Sequence, residues 1–271
     1  MKPTLTLLII FIYSSAFGIV TPFPIGARSW GVGNAVVALP HQQSYFSNPA
    51  GLGFLAENQL FAGFHTRFDE PAFTTFMAGG TLKTPFCIVG LGAEQFGDRL
   101  YNETKAGVAF AKKQGRVSLA AKVNYVQISI ENLTTKNTLL TEFGVLAELN
   151  SMVRLGFHAY NVTGGKLFVA QNIPTILRLG TSVQASKQVV FLVELEKSTA
   201  LPLLLKAGLE YEIYKNFVIR SGINSKPNTL HWGFSLRQRT FDFSYALHSH
   251  AALGLSQHLT LGYSIKKKED K

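Results

Sequence analysis

The side chains able to do chemistry fall into three groups. The first is His248-Ser249-His250 with His258, imidazoles of the kind that ligate zinc or copper. In extended backbone His248 and His250 share a face, but at the end of a segment and with no cysteine or acid beside them, so they do not read as a metal site. The second is two carboxylate pairs at i, i+2, Glu194/Glu196 and Glu210/Glu212. Such pairs run acid–base chemistry where their surroundings split their roles. Here cations on the flanking segments make them partners in cross-strand ladders instead. No Gly-x-Ser-x-Gly elbow and no phosphate loop is present, and Gly31-Val32-Gly33 lacks the preceding strand and third glycine of a dinucleotide site. The sequence therefore reads as a non-enzyme that calls for no cofactor and no metal. The third group is a run of interleaved charges: Lys122, Glu142, Glu148, Arg154, His158, Arg178, Glu194, Glu196, Lys206, Glu210, Glu212, Arg220, Arg237, Arg239 and Asp242. Charges withdrawn from water must pair. Both signs on neighbouring segments imply a salt-bridged, largely closed interior, or else a polar channel without strong ion selectivity.

The chain has 271 residues, of which 46% are hydrophobic and only 15% charged, against about 25% charged in a typical soluble domain. Its apolar residues are dispersed, and past the leader no run approaches the ~20 residues of a membrane helix. Aromatics at 12% argue against disorder, and the single cysteine, Cys87, excludes an internal disulfide framework. A transmembrane β-barrel has this composition, because each strand shows lipid every second residue.

Residues 1–18 read as a signal peptide: Lys2, an apolar core Leu5–Tyr13, then small residues up to a cut after Gly18. From residue 57 the chain breaks into segments near the 9–11 residues of a membrane strand: 57–66, 72–82, 86–97, 103–112, 116–130, 139–149, 152–161, 175–186, 188–197, 202–213, 216–224, 229–239, 240–248 and 255–265. Period two is clearest in the C-terminal half, as where Leu177, Leu179, Val183 and Ala185 oppose Arg178, Gly180, Ser182, Gln184 and Ser186. The first three segments alternate poorly, as expected of strands packed against something inside. The expected fold is all-β, an antiparallel up-and-down transmembrane β-barrel of about fourteen strands, spanning 57–265, with a plug or hatch over 19–56 that contains a short helix and a charged periplasmic tail over 266–271. Phe86, Ile88, Val190, Leu192 and Leu204 are expected to face inward.

The expected location is the outer membrane, with lipid around the barrel and both termini periplasmic. Tight turns would lie on the periplasmic side, and the longest links, 131–138 and 162–174, outside. Basic residues gather at the inner turns and tail: Lys83, Lys113, Lys187, Lys215, Lys266, Lys267 and Lys268. They are either solubilising turn residues or a docking rim for an acidic partner. The isoelectric point of about 9.7 does not indicate a nucleic-acid partner, because the chain is exported and has no basic–aromatic patch.

Residues 19–56 differ from the rest. Gly26-Ala27-Arg28-Ser29-Trp30-Gly31-Val32-Gly33 opens a stretch rich in small residues, and Asn48-Pro49-Ala50-Gly51-Leu52 supplies a turn. Together these resemble the N-terminal signature of FadL-like outer-membrane barrels, most nearly the PorV/PorQ branch of the Bacteroidota associated with type IX secretion. The resemblance implies a fourteen-stranded barrel with an N-terminal hatch, and two functions. One is a docking or accessory component of protein secretion and surface attachment, with secretion-system or surface-attachment proteins as partners. The other is a conduit for hydrophobic ligands, gated by the hatch. Of the two, the docking role is the leading expectation.

Overall fold

A computed structural model describes residues 25–168, 171–250 and 252–265; the expected signal peptide and the tail lysines Lys266–Lys268 lie outside the described residues. Fourteen strands close an antiparallel barrel in chain order, β1 pairing with β2 on one side and with β16 on the other. They are β1 (Asn58–Thr66), β2 (Thr74–Lys83), β3 (Ile88–Gly97), β4 (Tyr101–Gln114), β5 (Val117–Ile130), β6 (Thr134–Glu148), β7 (Val153–Tyr160), β10 (Ile176–Gln184), β11 (Val189–Ser198), β12 (Leu204–Tyr214), β13 (Phe217–Ser225), β14 (Asn228–Gln238), β15 (Phe241–His250) and β16 (Gly254–Ile265). Between β7 and β10, β8 (Lys166–Phe168) and β9 (Gln171–Asn172) form a separate two-stranded sheet.

The alternation read from the sequence sets the two faces. Leu177, Leu179, Phe191, Leu205, Trp232 and Leu261 point outward and are exposed, while their neighbours Arg178, Ser182, Glu194, Lys206, His231 and Thr260 point inward and are buried. Closure leaves no strand edge unpaired, and an apolar outer wall belongs in hydrocarbon. At the end holding Asn58 and Ile265 the connections are tight: left-handed backbone at Gly115, Asn216 and Arg239 closes three of them. This is called the turn end below, and its opposite the loop end.

Three expectations change. The 131–138 link shrinks to a turn at 131–133, since β5 and β6 stay paired from Val117↔Ala147 out to Ile130↔Thr134. Backbone pairing does not need apolar side chains, so Thr134–Thr138 extends the sheet without alternating. The 162–174 link contains the β8–β9 hairpin. Phe86 points outward at the turn end and is the most exposed large apolar side chain among the described residues, at 80%.

Inside the barrel runs the segment 25–56. It holds α1 (Ala27–Gly31), α2 (Ser44–Ser47) and a 3-10 helix at Pro49–Phe54, a shorter helical content than its small-residue run suggests. Phe61, Met77 and Ile88 turn inward to pack on Tyr45, Phe46 and Leu52. This is why the first strands alternate poorly: their inner face meets a plug, not water.

A charge on the outer wall tests this orientation. Leu179→Arg should cost about 2–4 kcal/mol, the penalty of a cation at the bilayer midplane. Thr181→Arg, nearer the turn end, should cost less. Urea unfolding in phospholipid vesicles reads both, and equal small losses would contradict a lipid-facing wall.

Candidate functional site: the plugged lumen

The plug passes so close to the wall that several wall positions have no room for a side chain. A Cβ on Gly222 would strike the backbone nitrogen of Gly33, one on Gly156 the carbonyl of Val37, and one on Gly144 the amide oxygen of Asn48. Two plug glycines are needed for their conformation as well, Gly26 at φ 106° and Gly33 at φ 65°.

The Asn48–Leu52 turn now has a physical account. The Asn48 amide nitrogen donates to the carbonyl of Val37 at 2.7 Å and to that of Val145 on β6 at 3.1 Å. Its oxygen accepts from the Ala50 amide at 3.1 Å, capping the 3-10 helix whose first residue is Pro49. Gly51 has Ser44 against it, and Ala50 and Leu52 are fully buried. One asparagine thus ties the two halves of the plug to each other and to the wall.

Around the plug lies a belt of buried charge. Lys122 (β5) pairs with Glu142 (β6) at 3.1 Å, and Glu142 with His158 (β7) at 2.9 Å. Arg178 (β10) donates to His158 Nδ1 at 3.3 Å, which leaves Nε2 to carry the imidazole proton toward Glu142. Arg178 also reaches Glu196 (β11) at 2.7 Å, and Lys206 (β12) bridges Glu194 and Glu196 at 2.9 and 2.7 Å. A second cluster joins plug to wall: Arg28 grips Glu210 in a bidentate pair at 2.8 and 2.6 Å, and Arg220 holds the same carboxylate at 2.6 Å. The belt also satisfies plug backbone. Glu194 accepts from the Val37 amide and Lys122 donates to the Tyr45 carbonyl, both at 2.8 Å, and Ser182 donates to the Ala38 carbonyl at 2.9 Å. His41, buried in the plug between the Gln43 amide and the Ser47 hydroxyl, is pushed down to about 3 by burial, with Arg28 acting in the same direction.

Six of the charges grouped with these by sequence stand apart, Arg239 among them, exposed in the β14–β15 connection. Arg154 pairs with Glu148 at 3.1 Å and Arg237 with Asp242 at 2.8 Å, both near the turn end, and Glu212 accepts from the Asn216 amide at 3.1 Å in a turn. Lys83, Lys113, Lys187 and Lys215 lie at the turn end, where Lys113 is held by Glu148 at 3.2 Å and stacks on Phe54.

Toward the loop end the lumen changes character. On one side Val126, Ile128, Leu140, Tyr160 and Ile176 face inward and are covered by Leu167 and Ile173 of the β7–β10 connection. On the other, Trp30 of α1 stacks on His258 at 3.8 Å, with His248, His231 and His65 around it. His65 and His258 are direct cross-strand partners, as are His231 and His248. Their rings stack instead of converging, and among the described residues no His/Cys/Asp/Glu group is arranged to hold a metal. Sequence reasoning found neither the imidazole cradle nor the apolar entrance. Both depend on strand register, and the inward apolar residues at 126, 128 and 176 were the one available signal. At the turn end a cavity of about 240 Å³ opens between plug and wall, bounded by Arg28, His41, Gln42, Arg237, Arg239 and Asp242.

No family model matches the sequence, and no curated protein matches it. Solved structures do match. The toluene transporter TbuX of Ralstonia pickettii superposes with a TM-score of 0.69 at 11% identity, over 89% of this chain and 98% of that one. The CymD monoaromatic hydrocarbon channel gives 0.67 at 15% identity, over 90% and 98%. A FadL homologue from Pseudomonas aeruginosa gives 0.60 at 12% identity, over 89% and 98%. The fold is that of a FadL-like barrel. Of these neighbours TbuX is a transporter and CymD a channel.

The belt makes a quantitative prediction. Glu210→Ala leaves two buried guanidinium groups without a carboxylate and should cost about 3–5 kcal/mol. Arg237→Ala, which breaks a half-exposed pair, should cost under about 1 kcal/mol. Urea midpoints in vesicles separate the two, and equal losses would contradict the closed, ion-paired lumen.

Proposed function

We propose that this protein is an outer-membrane conduit for hydrophobic small molecules, shown here closed by its plug. The observation that carries the reading is the apolar entrance. An ion-paired lumen needs no such lining, yet at the loop end inward Val126, Ile128, Leu140 and Ile176 form a buried apolar layer above the charge belt, capped by Leu167 and Ile173 of the β7–β10 connection. With that cap moved aside, such a layer would draw an apolar solute out of water before it meets the plug. The plug is held by hydrogen bonds, one bidentate ion pair and apolar packing, contacts that can be remade. The fold shared with a toluene transporter and a monoaromatic hydrocarbon channel supports the same reading.

A docking role in type IX secretion or surface attachment has the plugged, salt-bridged lumen as its support. That observation fits a resting conduit equally well, and the solved neighbours are transporters, so transport takes first place.

Proteoliposomes containing the protein should take up a hydrophobic solute such as toluene faster than protein-free vesicles, and an Ile128→Asn, Leu140→Asn variant whose heat-shifted gel mobility shows it folded should lose most of that difference. Uptake no faster than that of empty vesicles would remove the transport reading.

A further inference from the structure

The turn end carries a ring of unpaired cations that the conduit does not use. Lys83 is the last residue of β2, Lys112 lies two residues before the end of β4, Lys187 lies between β10 and β11, Lys215 between β12 and β13, and Arg239 between β14 and β15. All five are exposed, and none has a carboxylate partner among the described residues, whereas Lys113, Arg154 and Arg237 beside them are neutralised by Glu148 and Asp242. The six tight connections contain no aspartate or glutamate. The loop end differs: Asp69, Glu70, Asp98 and Glu131 sit among its basic residues, and Arg99 is paired with Glu131 at 3.3 Å.

The cations are spaced around the circumference and alternate with exposed aromatics. Phe86 is close in sequence to Lys83, Phe110 to Lys112, Tyr214 to Lys215 and Phe241 to Arg239, with exposures of 80, 52, 73 and 62%. Aromatic rings on a barrel wall mark the depth of the membrane–water interface. Long basic side chains at that depth lay their stems on the apolar surface and place their charge among lipid phosphates. A folded acidic protein would be met by cations gathered on one patch, not by cations spread over turns and strand ends around the rim.

We propose that the turn end is a lipid-recognition rim, in which Lys83, Lys112, Lys187, Lys215 and Arg239 bind the phosphates of anionic phospholipids in the adjoining leaflet. The rim holds the barrel at a fixed depth and orientation, and it does so whatever the lumen carries.

The full-length protein is reconstituted in nanodiscs of equal phosphatidylcholine and phosphatidylglycerol, and retained lipid is identified by native mass spectrometry. One variant neutralises the rim (Lys83→Gln, Lys112→Gln, Lys187→Gln, Lys215→Gln and Arg239→Asn). A control removes as many cations from the loop end (Arg99→Gln, Lys136→Gln, Lys166→Gln, Lys197→Gln and Lys226→Gln). All ten positions are exposed, and heat-shifted mobility in gels confirms that both variants fold. The wild type and the control should enrich phosphatidylglycerol, and the rim variant should lose at least about tenfold of that enrichment, since each interfacial cation contributes on the order of a factor of five. The proposal is overturned if the rim variant keeps the enrichment, or if the control loses as much. It is also overturned if the wild type shows none, in which case an acidic protein is left as the rim's partner.

Discussion

A fourteen-stranded barrel encloses more space than its own side chains fill, and here it turns charged residues into that space. A buried charge is tolerable only when paired and hydrogen-bonded, and the rest of the structure follows from this. Six consecutive wall strands from β5 to β12, leaving out the separate β8–β9 hairpin, share one network from Lys122 to Lys206. Glu210 holds two cations at once, Arg220 from the wall and Arg28 from the plug. The plug in turn has backbone groups that only the belt satisfies, at Val37 and Tyr45. Plug and wall therefore complete each other's polar accounting, and the glycines at 144, 156 and 222 are where the wall makes room for this.

Much of the fold was legible because its signal is local. Leu177 to Ser186 alternates with Thr181 as its one polar residue on the apolar face, so one face had to be lipid and the other lumen. The plug was legible as a departure from that pattern and from Asn48-Pro49, whose geometry favours a turn. What failed was the part that needs partners. Thr134–Thr138 has no alternation, so nothing in the sequence marks it as sheet, yet β5 continues to pair with it. Phe86 was placed inward by counting from Ile88, but the chain turns at Thr84–Cys87 and breaks the count. The charge belt was legible as a set of residues but not as a circuit. Arg154, Glu212 and Arg237 share the alternation of the buried members and differ only in height along the barrel. Cross-strand pairs such as His65↔His258 exist only once register is fixed.

On the proposed conduit reading, the layers along the barrel define a path. An apolar entrance lies above a paired-charge belt, and the plug closes the space at that belt before the polar cavity at the turn end. An apolar solute at the entrance gains nothing from the belt and cannot pass through it while the plug is seated. Because the plug joins no backbone ladder of the wall and is held by side-chain hydrogen bonds, one bidentate pair and apolar packing, moving it disturbs less than opening the wall. Wall strands, each paired on both sides, are the more expensive element to disturb.

The most direct test follows the plug backbone in the intact protein. Hydrogen exchange is measured on the barrel in lipid bilayers, with and without a saturating hydrophobic solute such as toluene, reading the amides of Ala27 and Val37, which bond to Thr260 and Glu194. The account predicts that solute speeds exchange at these plug amides while the amides of β10–β13 keep their protection. Solute that crosses the membrane while Ala27 and Val37 stay as protected as before would contradict it.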